Sequence, residues 1–105
     1  MPDVQVTVRH QPEHDRYDAL VEQQPAGRTV YRPQDGATWA FVHTEVDDAY
    51  AHHGVATQLI GGALDDVRSK GIMVLPDCPF VQAFIAEHED YVDLVPLAER
   101  SRYGV

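Results

Sequence analysis

A single cysteine in 105 residues, Cys78, excludes an internal disulfide and leaves three readings for that residue: a small buried hydrophobe, a reactive thiol or an intermolecular link. Long apolar runs are missing as well. No stretch approaches the roughly 18 residues needed to cross a bilayer. The N-terminal MPDVQVTVRH alternates apolar and polar residues where a signal peptide carries an unbroken apolar core. The expectation is a cytoplasmic protein with no membrane partner. Basic residues are scarce: 8 Lys and Arg against 17 Asp and Glu give a formal net charge of −9. No Lys or Arg cluster offsets that balance. Nucleic acid is therefore disfavoured as a partner, and cationic or small-molecule partners are favoured.

What is present fits one domain spanning residues 1–105. The chain is 44% hydrophobic, enough for one core and too short for a second. Its first half reads as strands. Val4, Val6 and Val8 alternate with polar residues; Tyr17, Ala19 and Val21 do the same; Thr29 to Tyr31 is a short β-branched and aromatic run. Pro25-Ala26-Gly27 and Asp35-Gly36 supply turn residues between them, which predicts antiparallel hairpins. In ATWAFVHTEV, alternation places Trp39, Phe41, His43 and Glu45 on one face and Ala40, Val42, Thr44 and Val46 on the other.

The second half changes period. Val55, Ala56, Leu59, Ile60, Ala63, Leu64 and Val67 recur at helical spacing, and Lys70-Gly71 reads as the helix end. Gly61-Gly62 in its middle weakens the helix by ~1 kcal/mol per glycine, which implies close approach of the helix to the sheet. Ile72 to Leu75 is a short, fully apolar strand. Strand, helix and strand in that order predict a right-handed crossover with the two strands parallel. A last helix starts at Pro79, and the polar tail beyond is expected to fray. The predicted class is α/β (α+β): an antiparallel meander, a β-α-β crossover and a C-terminal helix.

Two helix N-termini then stand out, because each presents unpaired N–H groups and a partial positive charge. The first, at Gly54 to Ala56, is a potential phosphate site. The second lies beside Cys78. Pro79 suits the first helical position, making Cys78 the cap residue, where the helix field lowers a thiol pKa and the neighbouring Asp77 opposes it. His43, His52, His53 and Cys78 are all ligand types, but their spacing matches no zinc pattern, so no metal is expected.

HTEV at 43–46, AHHGVA at 51–56, and PDCPF at 76–80 followed by HEDYVDLV resemble the short, stand-alone branch of the GNAT acetyltransferases. The resemblance covers roughly residues 28–96. It implies a trimmed GNAT fold, acetyl-CoA as acyl donor, an amine acceptor, and a loop before the long helix that holds the cofactor's pyrophosphate. The superfamily loop pattern is Arg or Gln, two residues, Gly, one residue, then Gly or Ala. Gly54 and Ala56 match it; Ala51 does not, and His52 stands where the branch usually has glycine. The resemblance gives Cys78 and His43 as catalytic candidates and Val46, His52, His53, Gly54, Val55 and Ala56 as cofactor-binding candidates. Cys78 either forms an acetyl-cysteine or assists direct attack by the amine. The acidic chain favours a cationic acceptor. A non-catalytic CoA-binding or protein-interaction module is the alternative, which the altered Ala51 and His52 favour.

Overall fold

The alternating first half forms four antiparallel strands and the helical second half adds a parallel fifth, in a computed structural model that describes residues 4–105. Strands β1 (Thr7–Gln11), β2 (Arg16–Val21), β3 (Gln24–Asp35) and β4 (Thr38–Val46) precede helix α1 (Val55–Ser69), strand β5 (Met73–Pro76) and helix α2 (Pro79–Glu87). The strands lie in sequence order in one sheet, and β4 and β5 run parallel, as a crossover through a helix requires. The α/β architecture is thus the expected one.

Several local expectations are corrected. The Val4 to Val8 alternation is only partly strand, since β1 begins at Thr7. Before it, Gln58 of α1 takes the place of a partner strand: its Oε1 accepts the Val6 N–H at 3.1 Å and its Nε2 donates to the Val4 carbonyl. The β2–β3 hairpin turns at Glu22-Gln23, whose φ angles are 50° and 69°, and not at Pro25-Ala26-Gly27. Those three residues lie inside β3. There the register steps from Ala19 opposite Gly27 to Leu20 opposite Pro25, which makes Ala26 an inserted, buried residue. A Cβ on Gly27 would stand 2.7 Å from the Glu45 carbonyl oxygen, so the strand admits no side chain at that point.

A second bulge redraws the faces of β4. The register steps from Val30 opposite His43 to Tyr31 opposite Phe41, leaving Val42 as the extra residue. The phase of the strand reverses there. Phe41 and Thr44 are both buried while His43 is exposed, so Phe41 and His43 do not share a face as simple alternation predicts.

The core lies between the sheet and the helices. Tyr17, Ala19, Tyr31 and Phe41 meet Leu59, Ile60, Ala63, Leu64 and Val67 of α1, all nearly inaccessible to solvent. Gly62 lets this happen at the edge strand, since a Cβ there would stand 2.7 Å from Val8 Cγ2. The expected close approach is present. The tail does not fray. Residues Glu89–Leu94 and Leu97–Glu99 form 3-10 turns, a short helix α3 (Arg100–Tyr103) follows, and Leu94, Val95 and Tyr103 are buried. Arg68 holds the segment by donating to Asp93 at 2.7 Å and to the Asp90 carbonyl at 2.6 Å. Among the described residues no helix is long and apolar enough to cross a membrane.

Candidate active site

The parallel pair β4–β5 is short, and its ending creates the site. Pairing runs from Thr38 opposite Met73 to Phe41 opposite Pro76, and one further bond, the Cys78 N–H to the Phe41 carbonyl at 2.7 Å, closes it. β4 continues to Val46 while the chain after Pro76 turns away into α2. Past Phe41, β4 therefore has no strand opposite on that edge, and a cavity of about 470 Å3 opens in the wedge. Its walls are Thr44, Glu45 and Val46 of β4, Phe80 of α2, and the loop and first turn of α1. Phe80 is 57% exposed, unusual for a phenylalanine, and it forms the α2 side of the mouth.

The loop owes its shape to two left-handed residues. His52 has φ 66° and Gly54 φ 77°. Glycine adopts that region freely and histidine at a cost, which is the physical sense of a glycine preference at position 52. The first helical bond of α1 runs from the Gln58 N–H to the Gly54 carbonyl at 3.2 Å. The N–H groups of Val55, Ala56 and Thr57 consequently lack an intrahelical acceptor, no side chain caps them, and no acid lies in the first turn. All three residues line the cavity. The helix mouth there favours an anion through its N–H groups and its dipole. His52 is exposed on the cavity wall, whereas His53 is half-buried outside it, its carbonyl accepting the Val4 N–H at 3.2 Å.

Cys78 caps α2, with Pro79 first in the helix, as the sequence predicts. It is nonetheless only 1% exposed and lies outside the cavity lining. Its Sγ–H donates to Thr44 Oγ1 at 3.3 Å; Thr44 Oγ1 lies 2.8 Å from Thr29 Oγ1; Thr29 donates to the His43 carbonyl at 3.5 Å. With Thr44 donating to Thr29, each hydroxyl gives once and accepts once, and the chain of buried groups is satisfied. Thr44 is the member that reaches the cavity.

His43 points outward with its side chain 60% exposed, and its Nε2 lies 3.6 Å from Glu45 Oε2. Glu45 also receives Arg28 at 2.8 Å, and it lines the cavity where His43 does not. Of the sequence candidates, the fold gathers Val46, His52, Gly54, Val55 and Ala56 in one wall, sets Cys78 behind Thr44, and leaves His43 and His53 at the margin. Sequence reasoning missed Thr44, Glu45, Thr57, Tyr50 and Phe80 as lining residues. The first two sit inside the quoted HTEV and Phe80 inside PDCPF, so the motifs carried the signal, but only the bulge at Val42 decides which motif residue faces in. Among the described residues no group of three His, Cys, Asp or Glu gathers as metal ligands.

The candidate site thus lies where a strand pair parts over an uncapped helix mouth, in a meander continued by a β-α-β crossover. The family model of the GCN5-related N-acetyltransferases matches residues 16–94. The chain belongs to that family. Among solved structures it is similar to the NMR solution structure of a GCN5-like candidate N-acetyltransferase from Staphylococcus aureus, with TM-score 0.65, 18% identity and 91% of each chain covered. It is also similar to the crystal structure of Ard1 from Thermoplasma volcanium, with TM-score 0.51 and 18% identity over 57% of this chain and 41% of that one. Both likenesses concern the fold. No curated protein matches.

Proposed function

We propose that the protein is a cytoplasmic, acetyl-CoA-dependent N-acetyltransferase that moves an acetyl group to a cationic amine by direct attack. The observation that carries this reading is the cavity itself, which runs from Thr44 of β4 to the uncapped first turn of α1. The residues fit the cofactor: the first-turn N–H groups of Val55, Ala56 and Thr57 are suited to its diphosphate, and Val46, Ala51, Ala56 and Phe80 offer apolar wall to its pantetheine arm. When bound, acetyl-CoA supplies the activated thioester. Glu45 supplies a counter-charge for the amine, and with His43 beside it forms a relay that passes the amine proton to solvent.

Cys78 acts through Thr44 in this scheme. A thiol 1% exposed and engaged as a donor is poorly placed to attack a thioester in the cavity, whereas it fixes the direction of the Thr44 hydroxyl. A second reading, a CoA-binding module without turnover, is favoured by the lack of any Lys or Arg in the cavity wall.

Incubation with acetyl-CoA and a panel of polyamines and lysine peptides, followed by mass spectrometry of protein and amines, separates these readings. Acetylated amine with unmodified protein is the expected result. An acetyl adduct on Cys78 would establish the covalent route, and CoA binding without any product would establish the binding module. Amide shifts on CoA titration should be largest at residues 52–57; shifts concentrated in β1 and β2 would refute the loop assignment.

A further inference from the structure

We propose that the solvent face of strands β1–β4 is a docking surface for an extended, acidic segment of a partner protein, held by four arginines. The surface lies on the side of the sheet away from α1, and the proposal stands whether or not the cavity takes CoA.

Helix α1 covers one face of these strands. Tyr17, Thr29, Tyr31 and Phe41 are buried on that side, and on β1 so are placed Val8, against Gly62, and His10, within 3.8 Å of Asp66. Alternation along the strands turns Arg9, Arg16, Arg28 and Arg32 to the opposite face. Arg9, Arg28 and Arg32 are exposed there and Arg16 is half-buried. Register sets them in rows: Arg9 lies opposite Asp18, Asp18 opposite Arg28 and Arg28 opposite Glu45, while Arg16 lies opposite Val30. Half of the chain's 8 basic residues thus share this face, and of its 17 acids the same rows hold Asp18 and Glu45. The face is locally positive in a chain of formal net charge −9. All four cations are arginine, the chain's one lysine, Lys70, following α1.

The pairs within the face leave charge and donors over. Asp18 accepts from Arg16 Nε at 2.9 Å, and Glu45 accepts from Arg28 Nη2 at 2.8 and 3.2 Å. Each carboxylate is matched once. Arg9 and Arg32 remain, and no ion pair among the described residues includes either. A guanidinium carries five N–H donors, so the Nη groups of Arg16 and the Nε and Nη1 of Arg28 stay open to a second acceptor.

This inventory selects the partner. Guanidinium forks suit carboxylate or phosphate, two bonds at a time. A single-stranded nucleic acid also needs aromatic faces on which to stack its bases, and Tyr17, Tyr31, Phe41 and Trp39, stacked on Tyr31 at 4.0 Å, all belong to the other side. Between the arginines stand aliphatic residues instead: Leu20 and Val30 are half-buried and take no part in the core. Along β3 the order is Arg28, Val30, Arg32, at every second residue, in steps of about 6.7 Å. An extended segment with an acid, an aliphatic residue and an acid at alternate positions has the same period. It presents a carboxylate to each arginine and an apolar side chain to Val30.

The probe is an N-acetylated, C-amidated peptide, Glu-Ser-Val-Ser-Glu-Ser-Val-Ser-Glu, compared with a counterpart in which glutamine replaces every glutamate. Each is titrated into the isotope-labelled full chain at about 0.1 M salt, where a Debye length of about 10 Å screens the chain's overall charge and spares close pairs. The acidic peptide should bind at least about fivefold more tightly than its counterpart, lose that advantage toward 1 M salt, and shift the amides of residues 9, 16–20 and 28–32 most. Arg9→Gln and Arg32→Gln should each weaken it about two- to fivefold and the double variant about tenfold. Arg102→Gln, which removes the same charge from the exposed tail, should weaken it by less than about twofold. Equal binding of the two peptides, or shifts centred on α1 and the tail, overturns the proposal. Tighter binding of a U-rich RNA oligonucleotide than of the acidic peptide overturns it by assigning the arginines to phosphate. Salt-sensitive self-association of the free chain in sedimentation, lost in the Arg9→Gln/Arg32→Gln variant, overturns it by assigning the face to a second copy.

Discussion

The chain of buried groups Cys78, Thr44 and Thr29 makes a prediction with a sign that depends on the number of substitutions. Thr44→Val keeps the side-chain shape but leaves the Thr29 hydroxyl, fully buried, with only its long 3.5 Å contact to the His43 carbonyl, and leaves the Cys78 thiol without its acceptor. An orphaned buried hydroxyl costs about 1–3 kcal/mol, and the weak thiol donor adds little. The expected loss is about 1–2 kcal/mol, or some 4–8 °C per kcal/mol in Tm for a domain near this size. Adding Thr29→Val removes the orphan, so the double variant should be less destabilised than the sum of the singles by at least about 0.5 kcal/mol. Urea denaturation of the four proteins closes the cycle. Additivity within about 0.3 kcal/mol would show that the two hydroxyls do not interact and would refute the chain. Activity gives a second reading: Cys78→Ser retains a donor to Thr44 and should retain acetyl transfer, whereas Cys78→Ala should lose most of it. Equal abolition by both would point to a nucleophilic sulfur.

Ala51→Arg restores a cation to a cavity wall that has none, and should raise CoA affinity by about three- to tenfold in calorimetry, the gain falling with salt; unchanged affinity would place the diphosphate elsewhere. Gly62→Ala should destabilise by about 1 kcal/mol, because the clash with Val8 outweighs the ~1 kcal/mol gain in helix propensity; a higher urea midpoint would refute the close approach. Stability should also depend on His10, which stacks on Tyr17 and shares a bond with the Tyr31 hydroxyl at 2.7 Å. Burial lowers its pKa from 6.5, opposed by Asp66 and, more weakly, by Glu13 and Asp15, while Lys70 adds to the lowering. The unfolded chain then takes up the proton first, so stability falls as pH drops from about 6.5 through the lower folded value. Asp66 acts in the same sense further down: burial raises its carboxyl, but the Tyr17 and Lys70 hydrogen bonds together prevail and hold it below 3.8. The urea midpoint of wild type relative to His10→Gln should therefore decrease between pH 7 and 5; an increase would reverse the sign argued here.

How much of this was legible follows from where each signal resides. The β4-α1-β5-α2 order was readable because α1 has a clean helical period, Met73 to Leu75 is continuously apolar, and Cys78-Pro79 marks a helix start. The bulge at Val42 was not, since nothing in AFVHTE distinguishes a regular strand from one with an inserted residue; the pairing of Val30 with His43 and Tyr31 with Phe41 decides it. The turn at Glu22-Gln23 was hidden for a related reason. Neither residue type prefers a positive φ, and the neighbouring Pro25-Ala26-Gly27 is a stronger turn signal in isolation. The tail misled because its buried residues, Leu94, Val95 and Tyr103, follow no period. The segment that carries them is held at Asp93, Tyr91 and the Tyr103 carbonyl by the distant partners Arg68, Asp65 and Gln82, which only the tertiary fold brings near.

The site itself is built mostly from backbone, and this explains why a residue pattern locates it but does not rank its members. The wedge exists because β5 stops at Pro76 while β4 runs on to Val46, and the anion-seeking end exists because α1 begins without a cap. Neither feature needs a particular side chain at Ala51 or His52, so departures there leave the pocket intact and alter only its charge. Side-chain identity matters where the wall must do chemistry: Thr44, whose hydroxyl direction is fixed from behind by Cys78, and Glu45, which balances Arg28 on one side and faces the cavity on the other. Substitutions in the loop should accordingly move donor affinity and its salt dependence. Substitutions at Thr44 and Glu45 should instead move turnover at saturating donor, and that division separates a transferase from a module that merely binds.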